Sequence, residues 1–414
     1  MEDLIYIANI AVYIMLVVFF PVYFTFRCKL GFINPVTVPF FIFSPVLLLK
    51  SIGGPLYILP KGLFDPWYNF AILMENIHLL ITSFQSFIVV EYCRRKKYHP
   101  AIVFFDYKLK TNRMALLSVF FLFMFFVCFF LLSRDFGFFN WILNPREGYQ
   151  FHRVGSGHWY ALSILFLSLS FVFCCSYVKR NNLLFLVFVF YALLSFLLGS
   201  KGIILSYFIS FVVILWFRRY KYLFHGLVLL CPLVFSAMLI NFSNTDLTDV
   251  LMYFDYYVNS SMYYEAFFSG DIDLFYGDIM LTEFYSYIPR ALFPEKPFVY
   301  GFLLVNEHFF PGAAEATHTP AFGGPINYFA DFHVFGVILF SIMDFSNILS
   351  VYLMYRLYLG SNFEMVKNSS STFFVYMWFI APSFMMFFGA GYILIILISL
   401  YFLVFFVNRL KVRL

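Results

Sequence analysis

Along this chain, runs of about 20 apolar residues, each long enough to cross a bilayer core, alternate with short polar breaks. The pattern predicts eleven spans, at roughly 4–25, 32–49, 68–90, 114–133, 160–177, 183–199, 203–217, 223–241, 329–352, 371–388 and 391–408. The fifth to seventh are short, and the ninth is interrupted by polar residues. Two polar stretches are too long to be simple turns, roughly 134–159 and 242–328. The expected fold is therefore all-α: one polytopic transmembrane helix bundle over residues 1–414, of about 11 spans, with two large loops on one side.

Composition supports the same reading. The 414 residues are 63% hydrophobic and only 12% charged, with a mean hydropathy of +0.85. Soluble domains carry roughly 25% charged residues, so a soluble enzyme or a nucleic-acid binder is excluded. No short apolar core followed by a small-residue cleavage site stands at the start, and the first run is expected to be a retained span. Orientation follows from the cations, which concentrate on the cytoplasmic side. With the N-terminus outside, only Lys50, Lys61, Arg134, Arg146, Arg153, Lys201, Arg290 and Lys296 of the 27 Lys and Arg fall outside. The C-terminus is then cytoplasmic, and both large loops are external.

Inside the third span, Glu75 and His78 stand three apart on one helical face. Such groups in a membrane either satisfy each other or mark function, and both readings stay open. The first loop gathers Arg146, His152, Arg153 and His158 around Gly155-Ser156-Gly157. Arg suits bidentate phosphate contacts and glycines let backbone N–H groups approach an anion; Trp141, Trp159 and Tyr160 equally fit an ordinary interfacial loop. Gly199-Ser200-Lys201-Gly202 lacks the spacing of a nucleotide phosphate loop, yet places a lone cation in an outer hairpin. The six cysteines lie at or within spans, which argues against a disulfide framework and a thiolate metal site.

The second loop is strongly acidic. Between Asn241 and Asp331, twelve Asp and Glu residues face only two cations, Arg290 and Lys296, so each cation needs its own explanation. Residues 247–269 are amphipathic and Tyr-rich, as in a helix lying at the outer interface. Asp271-Ile-Asp273 has the form of a metal-binding acid pair, but in so acidic a loop it is expected to hold no metal. At Ile288 to Pro297 three prolines stiffen the chain around Arg290 and Lys296. Downstream come Gly301, Glu315, His318, Gly323-Gly324-Pro325 and a ninth span that opens with Asp331 and Phe332 to Gly336.

The P-R-x-L-x-P-x-K-P-like segment (Pro289 to Pro297), the Thr/His and Gly-rich run into F-x-x-F-G, the G-S-K-G hairpin and the two large outer loops together resemble the Wzy-type O-antigen polymerases. The motifs cover about 50 residues and the architecture the whole chain. Where such proteins often carry Arg in the hairpin, this chain has Lys201. The resemblance implies a GT-C-like, metal-independent glycosyltransferase without cofactor in the bacterial inner membrane. It would transfer a growing glycan from undecaprenyl pyrophosphate to another lipid-linked repeat unit at the periplasmic face. Implied partners are the undecaprenyl-pyrophosphate-linked oligosaccharides, membrane lipid, and the chain-length regulator and flippase of the same pathway, with no nucleic acid.

That chemistry calls for fixed cations on the departing pyrophosphate and a base for the attacking hydroxyl. The candidates are Arg290, Lys296, Arg146, Arg153 and Lys201 for pyrophosphate, and His318, Glu315, Asp331 and Glu283 for catalysis. Each has a plainer role open to it: an ion pair pinning the loop for Arg290 or Lys296, a hydrogen-bonded loop position for His318, a helix cap for Asp331. An O-antigen ligase is the alternative enzyme, although a ligase-like H-x-x-G-x-x-G run is missing. A lipid-linked oligosaccharide flippase is a third reading.

Overall fold

A computed structural model describes residues 2–28, 65–95, 111–151, 157–178, 180–199, 256–288, 290, 292–315 and 320–344, with isolated positions at 203, 207, 211, 215, 348, 351, 352 and 403. Among these residues the fold is all-helical and contains no strand. Four helical stretches are long and apolar enough to cross a membrane: Leu4–Phe26, Pro66–Arg95, Arg113–Ser133 and Gly157–Cys175. They coincide with the first, third, fourth and fifth expected spans. Asn182–Phe196 and Ile326–Ile342, in the sixth and ninth, are shorter apolar helices. Of the seventh expected span, four described positions are helical and buried. The second, eighth and tenth lie outside the described residues, as does all of the eleventh but one helical position.

The chain divides into two compact units, one comprising residues 1–97, 229–288 and 295–355, the other 98–228, 289–294 and 356–414. In the first, α1 (Glu2–Ile14) continues through a π-turn (Met15–Phe19) into α2 (Phe20–Cys28), and both lie against the 30-residue α3 (Pro66–Arg95). A polar face on α3 makes the interhelical bonds. Asn9 donates to Asn69 Oδ1 at 2.6 Å and accepts at its carbonyl from Asn76 at 2.9 Å. Further along, His78 Nδ1 hydrogen-bonds with Ser341 Oγ at 2.7 Å, and Gln85 donates to the carbonyls of Ser341 and Ile342 at 2.7 and 2.8 Å. Polar side chains on an otherwise apolar helix turn inward because lipid offers them no partner.

In the second unit, α4 (Thr111–Ser133) pairs with α7 (Gly157–Tyr177). Ser118 Oγ donates to the Ser170 carbonyl at 3.0 Å and Ser170 Oγ returns a bond to the Ser118 carbonyl at 2.7 Å. Small hydroxyl residues let the two backbones approach that closely. Between them, the first large loop folds into two short helices, α5 (Phe138–Leu143) and α6 (Pro145–Phe151), and α8 (Asn181–Phe196) follows α7. Trp141 is fully buried, donating from Nε1 to the Leu197 carbonyl at 2.7 Å. The loop is thus packed structure built on an indole anchor.

Candidate functional site

The site is built in the first unit around a break in the ninth expected span. Here α12 (Ile326–Ile342) leaves helical geometry at Phe332 (φ −141°) and His333 (φ 58°, ψ −158°). The latter conformation is close to one that only glycine adopts freely, and it persists where surrounding packing enforces it. The His333 ring lies 4.6 Å from Phe329 and 5.4 Å from Phe267, centroid to centroid. Gly336 sits so close to the Tyr328 carbonyl that a Cβ has no room.

The break is what frees the backbone and side chains at residues 330–331 for the segment before them. Phe275 N–H donates to the Ala330 carbonyl at 2.9 Å. The buried Asp331 carboxylate accepts from Gly277 and Ile279 N–H at Oδ1, both at 3.1 Å, and from Met280 N–H at Oδ2, at 2.9 Å. These are first-turn donors of α10 (Asp278–Thr282), which otherwise lack partners. Asp331 does cap a helix, but one about fifty residues away rather than its own.

From α10 the chain runs directly into a 3-10 turn, Glu283–Tyr287, whose first residue is a candidate base. Thr282 Oγ1 donates to the Asp278 carbonyl at 2.5 Å and accepts from Gly301 N–H at 2.8 Å. Gly301 has φ +57°, and the Glu283 carboxylate lies directly over it, where any Cβ would collide. Although Glu283 as a residue is exposed, its carboxyl end is tucked into the loop. Desolvation there pushes its pKa above the usual carboxylate range, against hydrogen bonds from Ser286 and the Phe302 backbone and the attraction of Lys296.

Lys296 is only 8% exposed. Its ammonium donates to the Ile288 carbonyl at 3.1 Å and sits over the Tyr300 ring, 4.5 Å from the centroid. Tyr300, just ahead of α11 (Leu303–Phe309), packs edge-on against Tyr285 at 6.1 Å. A buried cation held by a carbonyl and an aromatic face, and acting electrostatically on a desolvated carboxylate, is an arrangement that stabilises anionic charge.

The Gly-rich run is held separately by α9 (Tyr257–Ser269), the described part of the expected interfacial helix 247–269. Here α9 packs on α3, with Tyr257, Tyr263 and Tyr264 buried. Ser260 Oγ donates to the Gly323 carbonyl at 2.7 Å and accepts from Gly323 N–H at 2.8 Å, while Asn259 holds the Ala321 carbonyl at 2.7 Å. Gly324, at φ +74°, lies over Glu75, whose Oε2 is 3.3 Å from where its Cβ would be. The intramembrane acid of α3 thus meets the loop that sequence places 249 positions later.

Of the other candidates, Arg290 is half-buried with Nη1 3.4 Å from the Pro294 carbonyl, and Glu315 is exposed in a turn. In the second unit, Arg146 is exposed with its guanidinium 5.3 Å from the Tyr149 ring centroid, and Gly199, at φ +68°, is seated against the Pro145 carbonyl. The first loop and the start of the G-S-K-G hairpin therefore meet. Arg153, Lys201 and His318 lie outside the described residues. Asp271 accepts from Ser269 Oγ at 3.2 Å, and among the described residues no group of three or more His, Cys, Asp or Glu is arranged as metal ligands. Thr282 and Tyr300 carry no motif in the sequence, and Gly301 stands out there only as part of the run after the proline-bounded segment. The signal for Gly301 was an isolated glycine following a rigid, proline-bounded segment.

No family model matches the chain, and no solved structure matches it. Two curated relatives, each called O-antigen polymerase, come from Salmonella typhimurium and Salmonella typhi. Each is 30% identical over 233 residues, covering 54% of this chain and 55% of the relative. The chain thus spans about half the length of the curated relatives it matches. Over that half it is similar to these two O-antigen polymerases, the family that its Pro/Arg/Lys segment resembles.

Proposed function

We propose that the chain is a glycosyltransferase that polymerises undecaprenyl-pyrophosphate-linked repeat units into O-antigen or a similar surface polysaccharide at the periplasmic face of the inner membrane. The 30% identity to two O-antigen polymerases carries this reading. The site supports it with an acid whose environment favours holding a proton and a buried cation beside it.

In the proposed reaction the acceptor sugar's hydroxyl oxygen forms a bond to the anomeric carbon of the growing glycan. The bond from that carbon to the pyrophosphate oxygen breaks, and the electron pair leaves with undecaprenyl pyrophosphate. Glu283 takes the hydroxyl proton, a role suited to a carboxylate whose pKa is raised toward the working pH. Lys296 stabilises the charge that grows on the leaving pyrophosphate, and burial strengthens its effect. Arg290, Arg146, Arg153 and Lys201 are proposed as further phosphate ligands on charge alone. Metal independence follows from the family resemblance. The chain-length regulator and flippase of the same pathway are proposed partners.

The lipopolysaccharide banding of a strain lacking this chain tests the reading. Core carrying a single repeat is the expected result. Bare core with accumulated lipid-linked polymer indicates a ligase instead, and loss of all periplasmic repeat units a flippase.

A further inference from the structure

We infer that Asp331 is a positioning residue that sets the place of Glu283 through α10, an inference that rests on the proposed role of Glu283 as base. The connection is continuous and short. The break at Phe332 and His333 leaves Asp331 buried at 2% exposure, with both carboxylate oxygens accepting from the first turn of α10. Charge-assisted bonds of this kind are about twice as strong as neutral ones, and three of them fix both the location and the direction of so short a helix. Alone, five residues are far below the length at which a helix is stable in water. The far end of α10 is Thr282, whose hydroxyl joins the Asp278 carbonyl to Gly301 N–H. Glu283 is the next residue, and its carboxylate rests on that same glycine.

The broken helix therefore serves the site. The break follows directly on Asp331, whose carboxylate meets Gly277, Ile279 and Met280. Gly277 itself is at φ +101°, with the Phe332 ring 3.1 Å from where a Cβ would stand, so the donor turn and the break are fitted to each other. Asp331 already accepts at both carboxylate oxygens from backbone N–H groups in this arrangement. Its effect on the reaction is to keep Glu283 at one height above Gly301. Misplacement of a reacting group by about 1 Å costs up to about 100-fold in rate.

The test is a double-mutant cycle on the purified full chain, reading steady-state extension of lipid-linked repeat units. Asp331→Asn keeps one acceptor oxygen and removes the charge. It is expected to lower kcat by about 10- to 100-fold with KM changed by less than about twofold, and to cost less than about twofold more when added to Glu283→Gln. An equal loss in both backgrounds overturns the inference, because Asp331 then acts independently of Glu283. Full activity in Asp331→Asn with an inactive Glu283→Gln overturns it while leaving the base assignment standing. Wild-type activity in Glu283→Gln removes the base assignment itself and the inference with it. Should Asp331→Asn fail to accumulate, Thr282→Val removes the same connection at its other end with no change of shape. It is expected to show the same loss of kcat without loss of binding, and wild-type kcat there overturns the inference.

Discussion

Glu283, the proposed base, is held in its place at the expense of stability. Its folded pKa lies above the value of a free carboxylate, so between the two pKa values the folded chain binds more protons than the unfolded one. Stability from this group is therefore present at low pH and is lost as pH rises through the folded pKa. Glu283→Gln removes that burden. It is expected to hold or raise the thermal midpoint at pH 7 while lowering elongation by about 100-fold or more, as befits loss of a general base. Thermal unfolding and elongation rates on the same preparation check both halves. In the wild type the acid limb of kcat/KM should fall above the ordinary Glu range, and the variant should lose that limb. Gly301 makes a complementary case, since its φ of +57° and the overlying carboxylate both exclude a side chain. Gly301→Ala is expected to lose about 1–3 kcal/mol of stability, seen as a lower midpoint, and to displace Glu283.

At the scale of elements, the long helices were legible because about 18 or more apolar residues in a row have few alternatives to a span. Pro66–Arg95 and Arg113–Ser133 appear within a few residues of their expected places. The break in α12 was not legible. Neither Phe332 nor His333 is a usual helix breaker, and the cause is tertiary: the aromatic packing of Phe267 and Phe329 around His333, and the three N–H groups waiting for Asp331. Asp331 could be recognised as special from its charge, but its partners are backbone groups about fifty residues earlier, which carry no side-chain signal. Glu75 and His78 were legible as an inward polar face, whereas their separate destinations at Gly324 and Ser341 depend on the packing of α3. That packing can be tested at Gln85, which holds the last carbonyls of α12. Gln85→Leu should destabilise the chain by about 0.6–1.7 kcal/mol, the range for interhelical hydrogen bonds in membranes, as measured by unfolding in detergent.

For the molecule as a whole, the proposed site requires the acidic loop and its two cations to face the periplasm. In the orientation expected from the sequence, eight Lys and Arg fall on that side and the other nineteen of 27 on the opposite side. A reporter active only in the cytoplasm should work when fused after Lys221 and be silent after Pro297; activity at Pro297 inverts the orientation and removes the periplasmic site. The most direct measurement is elongation by the chain itself. Purified protein, reconstituted in lipid with undecaprenyl-pyrophosphate-linked repeat units and excess EDTA, is expected to convert them into a ladder of lengthening lipid-linked glycans. Repeat units that stay single both in EDTA and with magnesium restored, with the protein folded and inserted, contradict the assignment of polymerase activity to this chain.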